Sequence, residues 1–203
     1  MRRALALLGL LAALAGCSTQ QDPGLMPGPP DVDVDTAELR QVKDRIGMAD
    51  CAPGPGTGPV QGGLPELTLP CLGGGQDVDL SLLRGPMVLN LWQSFCAPCI
   101  KEMPALEAFH QEHGDRVTVL GLDYNDVKPV AAMALAERTG VTYPSLADPG
   151  GEFRGVDGFG VVRGLPGWVF VDDDGTVAQV EYVAVDSVAE IEDLVREHLG
   201  VRL

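Results

Sequence analysis

The sequence predicts an α/β domain on a mixed central sheet, in which strands and helices alternate before an antiparallel hairpin finishes the sheet. Three observations carry this. Met87–Trp92 is an apolar run broken only by Asn90, the pattern of a strand buried on both faces. The run leads into Cys96-Ala97-Pro98-Cys99, after which Ile100, Met103, Leu106 and Phe109 recur at helical spacing. Later, Gly167–Val171 and Thr176–Val183 flank Asp172-Asp173-Asp174-Gly175, a hairpin turn signal.

The N-terminus carries a targeting signature. Arg2-Arg3 precedes a short apolar run, Ala4–Ala13, too short to span a bilayer and of the length of an export signal. Leu14-Ala15-Gly16-Cys17 resembles the lipobox of bacterial lipoproteins, which implies removal of residues 1–16 and attachment of lipid to Cys17. Residues 17–63 read as a lipid-anchored tether. Ser18–Asp35 is rich in Pro, Gly, Gln and Asp, and Ala52–Gly63 is Pro/Gly-rich and irregular. Between them, Thr36–Asp50 is a possible short helix, with Thr36 as N-cap and Leu39, Val42 and Ile46 on one side. The globular domain is expected over residues 64–203.

Leu64–Leu69 and Gln76–Leu80 lie on either side of a glycine turn and predict a β-hairpin. Ser81–Arg84 turns the chain into the core strand. The helix after Cys96 runs from Ala97 to about Glu112, with a kink expected at Pro104. Arg116–Asp123 is a second buried strand, and Asp126–Thr139 a helix stopped by Gly140. Tyr143–Leu146 is a short extended piece, and Glu152–Phe159 a short helix beyond the Asp148–Gly151 turn. Ser187–Leu199 closes the chain as a helix capped by Ser187, with Val188, Ile191, Leu194, Val195 and Leu199 inward. Helices are expected on both faces of the sheet.

Charge narrows the function. At a formal net charge of −15, with no Lys/Arg cluster beyond the extreme N-terminus, the chain is not expected to bind nucleic acid.

The CxxC supplies the chemistry. Residues three apart at a helix start share a face, close enough for two sulfurs to bond. Pro98 suits the first turn, where a missing N–H is no loss. Cys96 then sits at the helix N-terminus, where free amides and the macrodipole favour a thiolate, and Cys99 lies one turn inside. The pattern assigns Cys96 as nucleophile and Cys99 as resolving thiol. Half of a zinc site would need more ligands, and His110, His113 and His198 form no ligand motif. A purely structural bond at this spacing would close almost no loop.

The chain has five cysteines. With Cys17 lipidated and Cys96 and Cys99 paired, Cys51 and Cys71 remain, an even pair in an exported chain, and a structural disulfide between them is expected. Such a loop would contribute roughly 3 kcal/mol by chain entropy. The rival role is a second redox pair that exchanges with Cys96 and Cys99.

From about Leu64 to Val201 the chain resembles the thioredoxin fold, and specifically the membrane-bound thiol–disulfide oxidoreductases of the TlpA/ResA family. Val88-Leu89-Asn90-Leu91-Trp92-Gln93-Ser94-Phe95-Cys96-Ala97-Pro98-Cys99 is similar to the family's strand and CxxC signature, and Lys101-Glu102-Met103-Pro104 to its helix continuation. Gly164-Leu165-Pro166 resembles the cis-proline loop. Asp126–Leu146 resembles the inserted helix and strand that set this family apart from plain thioredoxin.

The resemblance implies that Pro166 is cis and faces the CxxC, and that the backbone of Leu165 forms the edge where an extended substrate pairs. It implies an active-site role for Glu102, in place of the strand carboxylate of thioredoxin, where this chain has Asn90. Two departures reshape the groove: Phe95 replaces the usual tryptophan, and Gly167 the usual threonine after the proline. The implied function is disulfide exchange with protein thiols, as a reductant with cytochrome c maturation as the implied context, fed by a membrane electron donor, with neither cofactor nor metal. The alternatives are a thiol peroxidase, which needs Thr and Arg around its cysteine, and a metal-binding assembly factor, whose relatives carry CxxxC and a later His.

Overall fold

All six residues of Met87–Trp92 are buried, because this strand is central in its sheet and covered on both faces. The computed structural model describes residues 31–155 and 162–203. Its strands are β1 (Thr68–Leu69), β2 (Val78–Asp79), β3 (Met87–Trp92), β4 (Thr118–Tyr124), β5 (Ser145–Asp148), β6 (Gly167–Val171) and β7 (Val177–Glu181). Its helices are α1 (Ala37–Ile46), α2 (Ala97–His113), α3 (Pro129–Thr139) and α4 (Val188–Leu199), with 3-10 turns at Leu80–Leu82 and Glu152–Gly155. The sheet order is β5-β4-β3-β6-β7; β3, β4 and β5 are parallel, and β6 runs antiparallel to β3 and β7. β1 and β2 pair separately as the expected hairpin, shorter than its apolar segments.

Strand alternation sorts the core into two layers. Val88, Trp92, Val119, Trp168 and Phe170 pack with residues of all four helices. Met87, Leu89, Leu91, Leu120, Leu122, Val169 and Val171 pack with Leu69, Val78, Leu80 and Phe153 on the opposite side. Among the described residues the four α-helices share one face, whereas the hairpin, the two 3-10 turns and the segment around Cys51 and Leu64 cover the other, so the helices expected on both faces are met there only by 3-10 turns. The reason is topological: β3→β4→β5 steps in one direction, so two right-handed crossovers put α2 and α3 on the same side.

Packing also begins earlier than Leu64. Thr36 caps α1, its Oγ1 accepting from the Leu39 amide at 3.3 Å, and Gly47 ends it at φ +71°. Val34, Leu39 and Met48 belong to the same apolar layer as Val88. The helix expected at Glu152–Phe159 is a 3-10 turn as far as Gly155, and its remainder lies outside the described residues. The helix expected from Asp126 starts at Pro129, because Asp126 turns the chain instead, its Oδ1 accepting from the Lys128 amide at 2.9 Å. α2 continues through Pro104 to His113.

Candidate active site

Cys96 is the N-cap of α2, and its Sγ accepts from the Cys99 amide at 3.3 Å. Pro98 occupies the first turn as expected. Cys96 is half-buried and bonded to Cys99, which is fully buried. The outer sulfur thus sits against the amides of a helix start and the inner one against the core. This asymmetry suits an attacking and a resolving thiol.

The Leu165–Pro166 bond is cis. Leu91 pairs with Gly167 across the β3–β6 ladder, which places Pro166 at the end of β3 that carries the redox loop. Pro166 itself is buried and Leu165 half-buried. Phe95, beside Cys96, is 61% exposed, with the Lys128 ammonium 6.0 Å from its ring centre.

Glu102 lies on the buried side of α2 with Cys99, Met103 and Leu106. Its Oε1 accepts from Asn90 Nδ2 at 2.9 Å, and the same Asn90 nitrogen lies 3.5 Å from the Gly167 carbonyl. Burial pushes the Glu102 carboxyl up to about 8; Asn90 and the backbone of Val185 oppose the rise, and the charge of Asp186 adds to it. Glu102 Oε2, Asn90 Oδ1 and the Tyr143 hydroxyl are buried without a hydrogen-bond partner. Burial raises the Tyr143 phenol well above its ordinary value, with Glu102 as the leading charge. A carboxyl raised to about 8 is therefore held one helical turn after the inner cysteine.

A second set of acids backs the redox loop and has no counterpart in the sequence expectations. Asp126 Oδ2 accepts from the Ser94 amide at 2.8 Å, two residues before Cys96. Gln93 Nε2 donates to the Asn125 carbonyl at 3.3 Å, and Asn125 holds φ +52°, a left-handed conformation that Asn tolerates. Asp123 is buried beside them with Oδ1 unpartnered. Its carboxyl is raised well above the ordinary range by burial, then by the charge and hydrogen bond of Asp126 and the charge of Asp148. An Asp at the start of a helix reads locally as a turn residue, and nothing in the sequence names Ser94 as its partner.

Cys51 and Cys71 are bonded and buried, in the pairing expected. Cys17 lies outside the described residues. Among the described residues one group could gather three metal-ligand atoms, Glu112, His113 and Glu192, on the surface between α2 and α4. There His113 Nε2 is 2.8 Å from Glu192 Oε1, and Arg116 donates to Nδ1 at 2.7 Å, so the imidazole is occupied on both sides and faces a cation. No helix among the described residues is long and apolar enough to cross a membrane.

A family model described as Redoxin matches residues 60–195. The chain is 32% identical over 145 residues to the thiol:disulfide interchange protein DsbE of Allochromatium vinosum, covering 67% of this chain and 75% of that protein. It is 28% identical over 108 residues to the thiol-disulfide oxidoreductase ResA of Halalkalibacterium halodurans, covering 52% of this chain and 59% of that one. The chain thus spans little more than half the length of that ResA. Among solved structures, MTB dsbF in its mixed oxidized and reduced forms is 29% identical, with a TM-score of 0.56 over 68% of this chain and 98% of that one. The fold is thioredoxin-like.

Proposed function

This chain belongs to the Redoxin family, and on that premise we propose that it is an extracytoplasmic thiol–disulfide oxidoreductase of ResA/DsbE type, working as a reductant of protein disulfides. The observation that carries the reading is the position of Cys96: half-exposed, at the N-terminus of α2, bonded to a fully buried Cys99.

In the reduced protein, the Cys96 thiolate attacks one sulfur of a substrate disulfide. A mixed disulfide forms, and the other substrate sulfur leaves as a thiolate that takes a proton. Cys99 then gives up its proton and attacks Cys96 Sγ, which releases the second substrate thiol and restores the Cys96–Cys99 bond. Two electrons pass to the substrate. Glu102 is proposed to take the Cys99 proton; its carboxyl, pushed up to about 8 on the same buried side of α2, supports that role. Leu165, Pro166 and Phe95 are proposed as the substrate-facing residues. A membrane electron donor would return the pair to the dithiol, and cytochrome c maturation is the proposed context.

The export signal and lipobox support anchoring through lipid on Cys17. Fatty-acid labelling of the wild type and of Cys17→Ser tests this, and equal labelling would remove the anchor. For the chemistry, Cys99→Ser should accumulate mixed disulfides through Cys96 in cells, and the wild type should reduce insulin disulfides. No trapped partner, together with no insulin reduction, would overturn the reading.

A further inference from the structure

Cys71 Sγ is surrounded in a way that a disulfide sulfur does not require. The Lys43 ammonium lies 3.4 Å from it, and the Cys51 amide donates to it at 3.2 Å. Lys43 is 4% exposed although it lies on an amphipathic helix that could have turned it outward. Its ammonium is held in place by the Gly74 carbonyl at 2.6 Å and by Asp50 at 2.8 Å. A disulfide sulfur is a weak acceptor and gains little from a buried ammonium, whereas a thiolate needs a cation and donors to survive burial. On the other sulfur, Cys51 Sγ lies 3.3 Å from the Ser145 carbonyl, an acceptor that only a thiol could use. Both products of reduction therefore have their partners waiting: a thiolate at Cys71 and a thiol at Cys51.

We propose that Cys51–Cys71 is a second redox centre, reduced by a dithiol to a Cys71 thiolate held by Lys43 and a Cys51 thiol donating to Ser145. The step balances. A dithiol gives two electrons and two protons and becomes a disulfide; the Cys51–Cys71 bond takes two electrons and one proton, and the second proton goes to solvent. The attack falls on Cys51, which makes Cys71 the leaving group. The other charged groups about Cys71 are Asp50, paired with Lys43, and the Asp35–Arg40 pair beside Gly74.

Entry to the bond is through the Cys51 side. That segment is irregular, held at its two ends by Ala49 to Thr142 and Gly56 to Leu82. A cleft of about 340 Å³, lined by Asp50, Ala52, Pro53 and Pro55 on either side of Cys51 in sequence and by Met87, Leu120 and Pro144 opposite, gives room into which the segment can move. This centre goes beyond the exchange proposed for Cys96 and does not depend on it.

The test uses the full chain carrying Cys96→Ser and Cys99→Ser, so that the second pair is read alone. Peptide-resolved alkylation of Cys51 and Cys71 across a series of reduced and oxidised dithiothreitol gives the reduction equilibrium. The pH dependence of Cys71 alkylation gives its thiol titration. Lys43→Met should lower the equilibrium constant for reduction at least tenfold and move the Cys71 titration up by at least one pH unit. Lys43→Arg should restore both. Asp50→Asn, at a side chain 85% exposed, should move both the opposite way by freeing the Lys43 charge. Folded Lys43→Met and Asp50→Asn proteins with wild-type equilibria and titrations would overturn the proposal, as would reduction of the pair only in step with global unfolding.

Discussion

Asn90, on the central strand, donates to Glu102, one turn behind the inner cysteine, across 2.9 Å of buried space. The pair joins β3 to α2, and Asn90 also reaches toward the Gly167 carbonyl just after the cis-proline. Three parts of the redox site meet at one amide. The carboxyl there is both strongly raised and hydrogen-bonded, so its proton is available near neutral pH.

Glu102→Gln should therefore flatten the pH profile of thiol exchange between about pH 7 and 9 and slow resolution by Cys99 by roughly 10²-fold, the low end for a lost general acid–base group. Single-turnover reduction of a model disulfide across pH checks this. An unchanged profile removes Glu102 from the proton path.

The same carboxyl carries a stability signature. Between its ordinary value of 4.5 and about 8, folded Glu102 holds a proton that the unfolded chain has released. Stability must then fall as pH rises through this window. A shift of this size corresponds to roughly 5 kcal/mol. Urea unfolding of the oxidised protein at pH 5 and pH 9 should show the loss, and Glu102→Gln should remove the part that Glu102 contributes.

Asp123 obeys the same sign. Its carboxyl is raised well above 3.8, so it too disfavours the folded state as pH rises above that value. Asp123→Asn should stabilise the protein at pH 7 while leaving it nearly unchanged near pH 3. A destabilised Asp123→Asn at pH 7 would show that the proton on Asp123 is not what Asp126 needs.

Asp126→Ala should cost about 1–3 kcal/mol, because the Ser94 amide loses its charged acceptor in a half-buried place. The redox loop should loosen with it. Amide hydrogen exchange at Ser94 and Phe95 should accelerate, and the rate of Cys96 alkylation should change, while exchange in β6 stays as it was.

Gly121→Ala tests the packing behind the site. A Cβ on Gly121 would overlap Ser145 Oγ and fall 2.9 Å from Trp92 Nε1, and those two atoms are themselves bonded at 3.1 Å. The change should cost about 1–3 kcal/mol or more, as overpacking does, read as a lowered midpoint of thermal unfolding.

Much of this molecule is legible locally. The apolar run of β3, the cap at Cys96 and the turn at Asp172–Gly175 are governed by neighbours a few residues away, and the order of elements follows from them. The cysteine pairing also followed, because setting aside the lipobox cysteine and the two motif cysteines leaves a single pair, Cys51 and Cys71. Asp126 and Lys43 were not legible. Their partners, Ser94 and Cys71, stand 32 and 28 residues away, and each side chain reads locally as an ordinary helix or turn residue.

That a CxxC sits where a buried strand meets a helix is written locally, since hydrophobic period and N-cap chemistry act within a turn or two. What surrounds the sulfurs is set by long-range packing. Crossover handedness stacked the helices on one face, strand register set Asn90 against Glu102, and the packing of α1 brought a buried ammonium to Cys71. Such contacts depend on where distant segments come to rest, and no local pattern encodes that.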